Sequence, residues 1–128
     1  MKLYLLLLFL FISLDKNTPI EIIPVRVITD GFNCTEGVII ADQVRDLVKE
    51  DSLLQIYSKS DSSYIIVEIT SYRDGGTSVI NAGFSRVTPL EKSKLDYTFT
   101  RRLITQTLEQ MKEISKNILE KIHLIRKY

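Results

Sequence analysis

The chain has 128 residues, of which 45% are hydrophobic and 26% charged, with five Gly, three Pro and a formal charge of +1. That length suits one domain with a single core, and the composition excludes a disordered or fibrous chain. The near-balanced charge gives no global attraction to nucleic acid or to an anionic membrane.

Charge is nevertheless unevenly distributed. From Arg101 to the end there are seven Lys and Arg against three Glu, whereas Asp15 to Thr100 holds nine against thirteen acidic residues. The terminal segment is basic and the rest acidic, a pattern that complementarity between two packed layers would also produce.

Taken in order, the chain opens with Met1-Lys2 and an apolar run of twelve, Leu3 to Leu14 (LYLLLLFLFISL), followed by the polar Asp15-Lys16-Asn17-Thr18. Twelve helical residues rise about 18 Å, short of the roughly 30 Å hydrocarbon core of a bilayer. Residues 1–18 are therefore expected to be a signal peptide or short leader and 19–128 a single domain, periplasmic or secreted, with no stable membrane span. No Ala-x-Ala cleavage site is present, so an uncleaved shallow anchor is the other reading, and no Cys follows the run to carry a lipid.

Pro24 to Thr29 (PVRVIT) is the first expected strand, closed by Asp30-Gly31. The loop DGFNCTEG leads into an amphipathic helix over Val38–Glu50, with Ile40, Ala41, Val44, Leu47 and Val48 on one face. Thr35 or Asn33 is the expected N-cap, and Glu36 suits the positive end of the helix dipole. Leu53 to Tyr57 reads as a short strand and Ser58 to Ser62 as a polar turn. Next comes the stretch that organises the chain, Ser63 to Thr70 (SYIIVEIT), which places Ile65, Val67 and Ile69 on one side of an extended backbone.

Arg73-Asp74-Gly75-Gly76 has the residues of a tight hairpin, and Thr77 to Val87 runs back with Ile80, Ala82 and Phe84 on one face. After the polar Thr88 to Lys94, the alternation of Leu95, Tyr97 and Phe99 marks a last short strand. A terminal helix is expected over Arg101–Ile125, capped by Thr100, from the stripe Ile104, Leu108, Met111, Ile114, Ile118, Ile122 and Ile125. Leu103, Leu119 and Leu124 widen that stripe. The surplus over Ile118, Leu119, Ile122, Leu124 and Ile125 is read as a partner surface, against the simpler reading that it covers the other helix.

Little in the chain carries chemistry. His123, the one histidine, is expected to be solvated near a helix C-terminus, with no carboxylate on its own face to orient it. Cys34, the one cysteine, precedes a helix N-terminus, where thiols gain reactivity. It reads either as a buried small hydrophobe or as a reactive thiol joining two copies in a homodimer. Asn33-Cys34-Thr35 fits a glycosylation acceptor, relevant only in a eukaryotic secretory route. The 30–37 strand-to-helix loop can hold an anion at free backbone donors, but it lacks the glycine patterns of phosphate loops, and Asp30 and Glu36 oppose an anion. No spacing suggests a metal site, a nucleophile elbow or a cofactor.

The order of strand, helix, short strand, SYIIVEIT, hairpin and closing helix, from Pro24 to Ile125, resembles small exported bacterial α/β proteins. Among these are the amino-terminal domain of TolB and the activator lipoproteins of peptidoglycan synthases. The resemblance lies in pattern and implies a non-catalytic binding domain in the periplasm, with no site residue to transfer.

The expectation is thus an α/β (α+β) domain of order β-α-β-β-β-(β)-α, with a mixed or antiparallel sheet of four to five strands and two helices mainly on one face. Its expected role is an exported accessory or adaptor that binds an envelope or extracellular protein, with no catalytic residues, no cofactor and no nucleic-acid partner. The alternative is a small-ligand or anion binder using the 30–37 loop.

Overall fold

The computed structural model describes residues 21–59, 63–89 and 91–127, with backbone alone over 91–96. The expected leader and turn residues 60–62 lie outside the described residues. Five strands, β1 (Ile23–Ile28), β2 (Leu54–Ile56), β3 (Tyr64–Asp74), β4 (Thr77–Thr88) and β5 (Glu91–Leu103), form one mixed sheet of order β2-β1-β3-β4-β5. Helix α1 (Thr35–Glu50) links β1 to β2, and α2 (Leu108–Arg126) follows β5. The fold is α+β, in the expected element order.

β1 is parallel to both β2 and β3, whereas β3, β4 and β5 form an antiparallel meander. An inner strand is an awkward place for Pro24, which has no N–H to give. The ladder shows why it is tolerated. Ile23 N donates to Leu53 O and Val25 O accepts from Tyr57 N, so the residues flanking Pro24 face β2. Pro24 itself faces the β3 side, where pairing begins only at Val25 with Ile65.

Strand alternation decides which sheet face is buried. Val25 of β1, Ile65, Val67 and Ile69 of β3, Ile80, Ala82 and Phe84 of β4, and Phe99 and Leu103 of β5 point to one side and pack with both helices in one core. From α1 come Ile40, Ala41, Val44 and Val48, and from α2 Met111, Ile114, Ile118, Ile122 and Ile125. Ser115 is fully buried where the helices meet, and its hydroxyl lies 2.6 Å from Gln43 Oε1. A small residue there lets the helices approach, and the hydrogen bond offsets the cost of burying a polar group. The hairpin between β3 and β4 forms as expected, with Asp74 opposite Thr77 and Gly75 at φ +63°.

The largest departures from expectation lie at the helix starts. α1 starts at Thr35 rather than Val38, and its N-cap is Cys34, not Thr35 or Asn33. The terminal helix begins at Leu108, because Arg101 to Leu103 belong to β5, which is far longer than the short strand expected. Ile80 opposite Arg101 and Ser78 opposite Leu103 continue the ladder, and Leu103 becomes core. Ile104 fits the helical spacing but stands 76% exposed outside the helix, and the cap is Thr107, whose side chain accepts from Gln110 N at 3.3 Å. No helix among the described residues is long and apolar enough to cross a membrane.

Candidate functional site

Three places bring chemistry-bearing residues together: the seam under the first turn of α1, the junction at its last turn, and the groove between β5 and α2.

The seam forms because Gly37 lets α1 sit directly on the end of β3. A Cβ at Gly37 would fall 1.9 Å from Ser71 Oγ and 2.7 Å from Ser71 Cβ. In the space so kept, the Ser71 hydroxyl donates to Asn33 Oδ1 (3.0 Å) and accepts from Cys34 N (3.0 Å). Asn33 Nδ2 in turn donates to Thr29 O (2.8 Å). Ser71 therefore caps α1 from another element, and the Cys34 side chain makes no cap bond.

Glu36, in the first turn, is only 5% exposed. Arg73 Nη2 donates to its Oε1 at 2.6 Å, while no group closes a hydrogen bond of good geometry on the sealed Oε2. Burial pushes the Glu36 carboxyl up, but its own backbone amide, the Cys34 and Ser78 side chains and the Arg73 charge outweigh burial and hold it below the usual value. Cys34 is half-buried and in no disulfide. At the seam a buried carboxylate lies beside a backbone donor, Cys34 N, that is already in use.

At the other end of α1, Asp51 is the C-cap, and its Oδ1 accepts from Leu53 N at 2.9 Å. Its Oδ2 lies 2.6 Å from His123 Nε2. The expectation of a solvated His123 without an orienting carboxylate is thus corrected: the carboxylate comes from the other helix. Burial raises the Asp51 carboxyl, and the Leu53 amide, His123 and the Arg126 charge overcome it, leaving the pKa lowered. This pair and Cys34 sit at opposite ends of the 16-residue α1, about 24 Å apart by helical rise. The only His and the only Cys are therefore not assembled into one site. Among the described residues, no group of three or more His, Cys, Asp or Glu is placed to hold a metal.

The surface expected at the end of the terminal helix is largely interior. Ile118 and Ile122 are fully buried and Ile125 is 8% exposed, all in the core, and Leu119 is half-buried against it. Leu124 alone is exposed, at 48%. The surplus apolar width covers α1 and the sheet, as in the simpler reading.

An open surface lies instead at the opposite end of α2. Among the described residues β5 pairs only with β4, so it is an edge strand. Irregularities interrupt its register between Phe84 and Ser85 and between Arg86 and Thr88, but Ser78 opposite Leu103 through Phe84 opposite Tyr97 is continuous. Beside this regular stretch, a groove of about 240 Å³ is lined by Arg101–Ile104 on β5 and beyond, and by Gln110, Glu113, Ile114 and Asn117 on α2. Ile104 stands exposed in its lining, at 76%. Arg101 stacks over the Phe99 ring at 4.7 Å, and Lys121 lies 5.3 Å over Tyr97. Arg102 pairs with Asp74 at 3.1 Å, both groups more than half exposed.

Sequence reasoning missed Ser71, Arg73 and Asp51 as partners of the helix ends. The available signal was Ser71 itself, a small polar residue in the inward register of Ile65, Val67 and Ile69 where another apolar residue would be expected. No protein-family model matches the chain, and no curated protein matches it.

Proposed function

We propose that this chain is an exported, non-catalytic accessory domain that binds another protein of the cell envelope by accepting an extended segment of it along β5. The observation that carries this reading is the edge itself. Tyr97 to Leu103 is a seven-residue stretch, roughly 23 Å at the rise of an extended chain, regular in register and flanked by a groove. An edge strand presents unpaired N–H and C=O groups at alternate positions, which an added strand satisfies while its side chains read the flanking surface. The other edge, β2, is three residues long and offers little.

Site-specific photo-crosslinking tests the reading. A benzophenone side chain at exposed Thr100 in the full chain, expressed in its native envelope, is expected to trap one defined partner. The same probe at exposed Asp46 on α1 is expected to trap none. A folded, monomeric protein with no adduct at Thr100 would remove the proposal.

A further inference from the structure

The groove beside β5 also has a chemical preference, and from it we infer that the segment accepted there is acidic. This rests on the edge-docking reading and adds the partner's charge to it. Arg101 stands at the groove, exposed, with its guanidinium stacked on Phe99 and paired with no carboxylate among the described residues. Arg102 presents a second guanidinium to the opposite sheet face, held only by an exposed pair to Asp74. Lys121 continues the line one helical turn past Asn117, over Tyr97. The groove itself is lined by Arg101 and Arg102 against one acid, Glu113, with Lys121 just beyond its lining. The excess extends beyond the groove, since the chain from Arg101 onward carries seven Lys and Arg against three Glu.

Successive residues of an added strand point to opposite faces. An acidic side chain on the helix side therefore meets Arg101 or Lys121, and one on the open side meets Arg102. Gln110 and Asn117 line the groove between them and supply amides that donate to carboxylates or to the segment's backbone. Exposed Ile104 in the groove lining offers one apolar seat.

The same charges argue against a second copy of this chain as the occupant. Pairing β5 with β5 would bring two sets of Arg101 and Arg102 into one sheet, and inward or edge-placed cations are a known means of preventing that association. An acidic segment removes the repulsion that keeps the edge free.

Three ten-residue peptides of alternating sequence test this on the full chain: Thr-Glu, Thr-Ser and Thr-Lys repeats. Binding is read by fluorescence anisotropy and located by amide hydrogen exchange over 97–103. The Thr-Glu peptide is expected to bind most tightly, protect β5 amides and weaken about tenfold between about 0.05 M and about 0.5 M salt. Arg101→Glu and, separately, Lys121→Glu are expected to weaken it about fivefold each without loss of fold, since Arg101 is exposed and Lys121, half-buried, lies outside the hydrophobic core. Equal protection of β5 by all three peptides would overturn the acidic preference and leave edge docking standing. Absence of β5 protection with every peptide would overturn both. Binding of the Thr-Glu peptide with protection confined to other amides would likewise refute the assignment to this groove.

Discussion

Gly37→Ala is the substitution that tests the seam most sharply, because two effects of opposite sign meet there. In an ordinary helix interior, Ala in place of Gly stabilises by about 1 kcal/mol. Here the new Cβ would sit 1.9 Å from Ser71 Oγ, 2.7 Å from Ser71 Cβ and 3.0 Å from Asn33 Oδ1. Ser71 Cβ cannot rotate away, so α1 or β3 must move. Overpacking of this kind costs about 1–3 kcal/mol. The shift also strains the Ser71 bonds to Asn33 and Cys34, each worth about 1 kcal/mol. The balance is a net destabilisation of about 2–3 kcal/mol, read as a lower urea midpoint with unchanged slope.

Ser71→Gly removes the two closest of these atoms and frees Asn33 to turn aside, and in that background Gly37→Ala should be neutral or stabilising by up to about 1 kcal/mol. The coupling between the two positions is therefore about 2–4 kcal/mol in the double-mutant cycle. Equal effects of Gly37→Ala in both backgrounds would refute the close-approach argument, even if both variants were destabilised.

Other outcomes follow from the same structure. Glu36 and Asp51 both have carboxyls held below their usual values, so each contributes stability that is complete at neutral pH and lost as pH falls below about 5 through the folded-state value. The unfolding-midpoint gap between wild type and Glu36→Gln or Asp51→Asn should thus be largest near pH 7 and shrink in acid; a gap constant down to pH 3 contradicts this. Ile118→Ala should destabilise by about 2–5 kcal/mol because its site is sealed, whereas Leu124→Ala should stay within about 0.5 kcal/mol. Denaturant titration of both measures whether the end of α2 is core or surface. Thr107→Ala removes the cap bond to Gln110 N and should cost about 1 kcal/mol. Thr100→Ala, the cap expected from sequence, should leave the helicity of α2 unchanged by circular dichroism.

The parts of the fold that sequence reveals are those with local signatures. Ile65, Val67 and Ile69 alternate as a strand must, Gly75-Gly76 suits a tight turn, and Ile40, Val44 and Val48 return at helical spacing. The start of α2 is ambiguous in the sequence because Ile104 happens to extend the helical stripe while Leu103 equally extends the alternation of Leu95, Tyr97 and Phe99. Both periodicities pass through the same few residues, and only pairing with Ser78 to Val79 decides between them. The candidate sites are less legible for a different reason. Ser71 with Cys34 and His123 with Asp51 are contacts across 37 and 72 residues, and no local pattern encodes a partner on another element. The edge position of β5 among the described residues is likewise a property of strand order, which composition and spacing do not carry.

The parallel placement of β1 has a temporal consequence. Both of its neighbours lie later in the chain, with Val25 meeting Ile56 on one side and Ile65 on the other. A polypeptide emerging amino end first must therefore hold β1 unmatched until α1 has formed a crossover and the short β2 has arrived, and open on its other side until β3 follows. The meander of β3, β4 and β5 needs only near neighbours and can assemble without it. β1, the first strand among the described residues, is thus among the last to be secured, and for that interval Val25 and Val27 are bare to whatever chaperone or aggregate reaches them first.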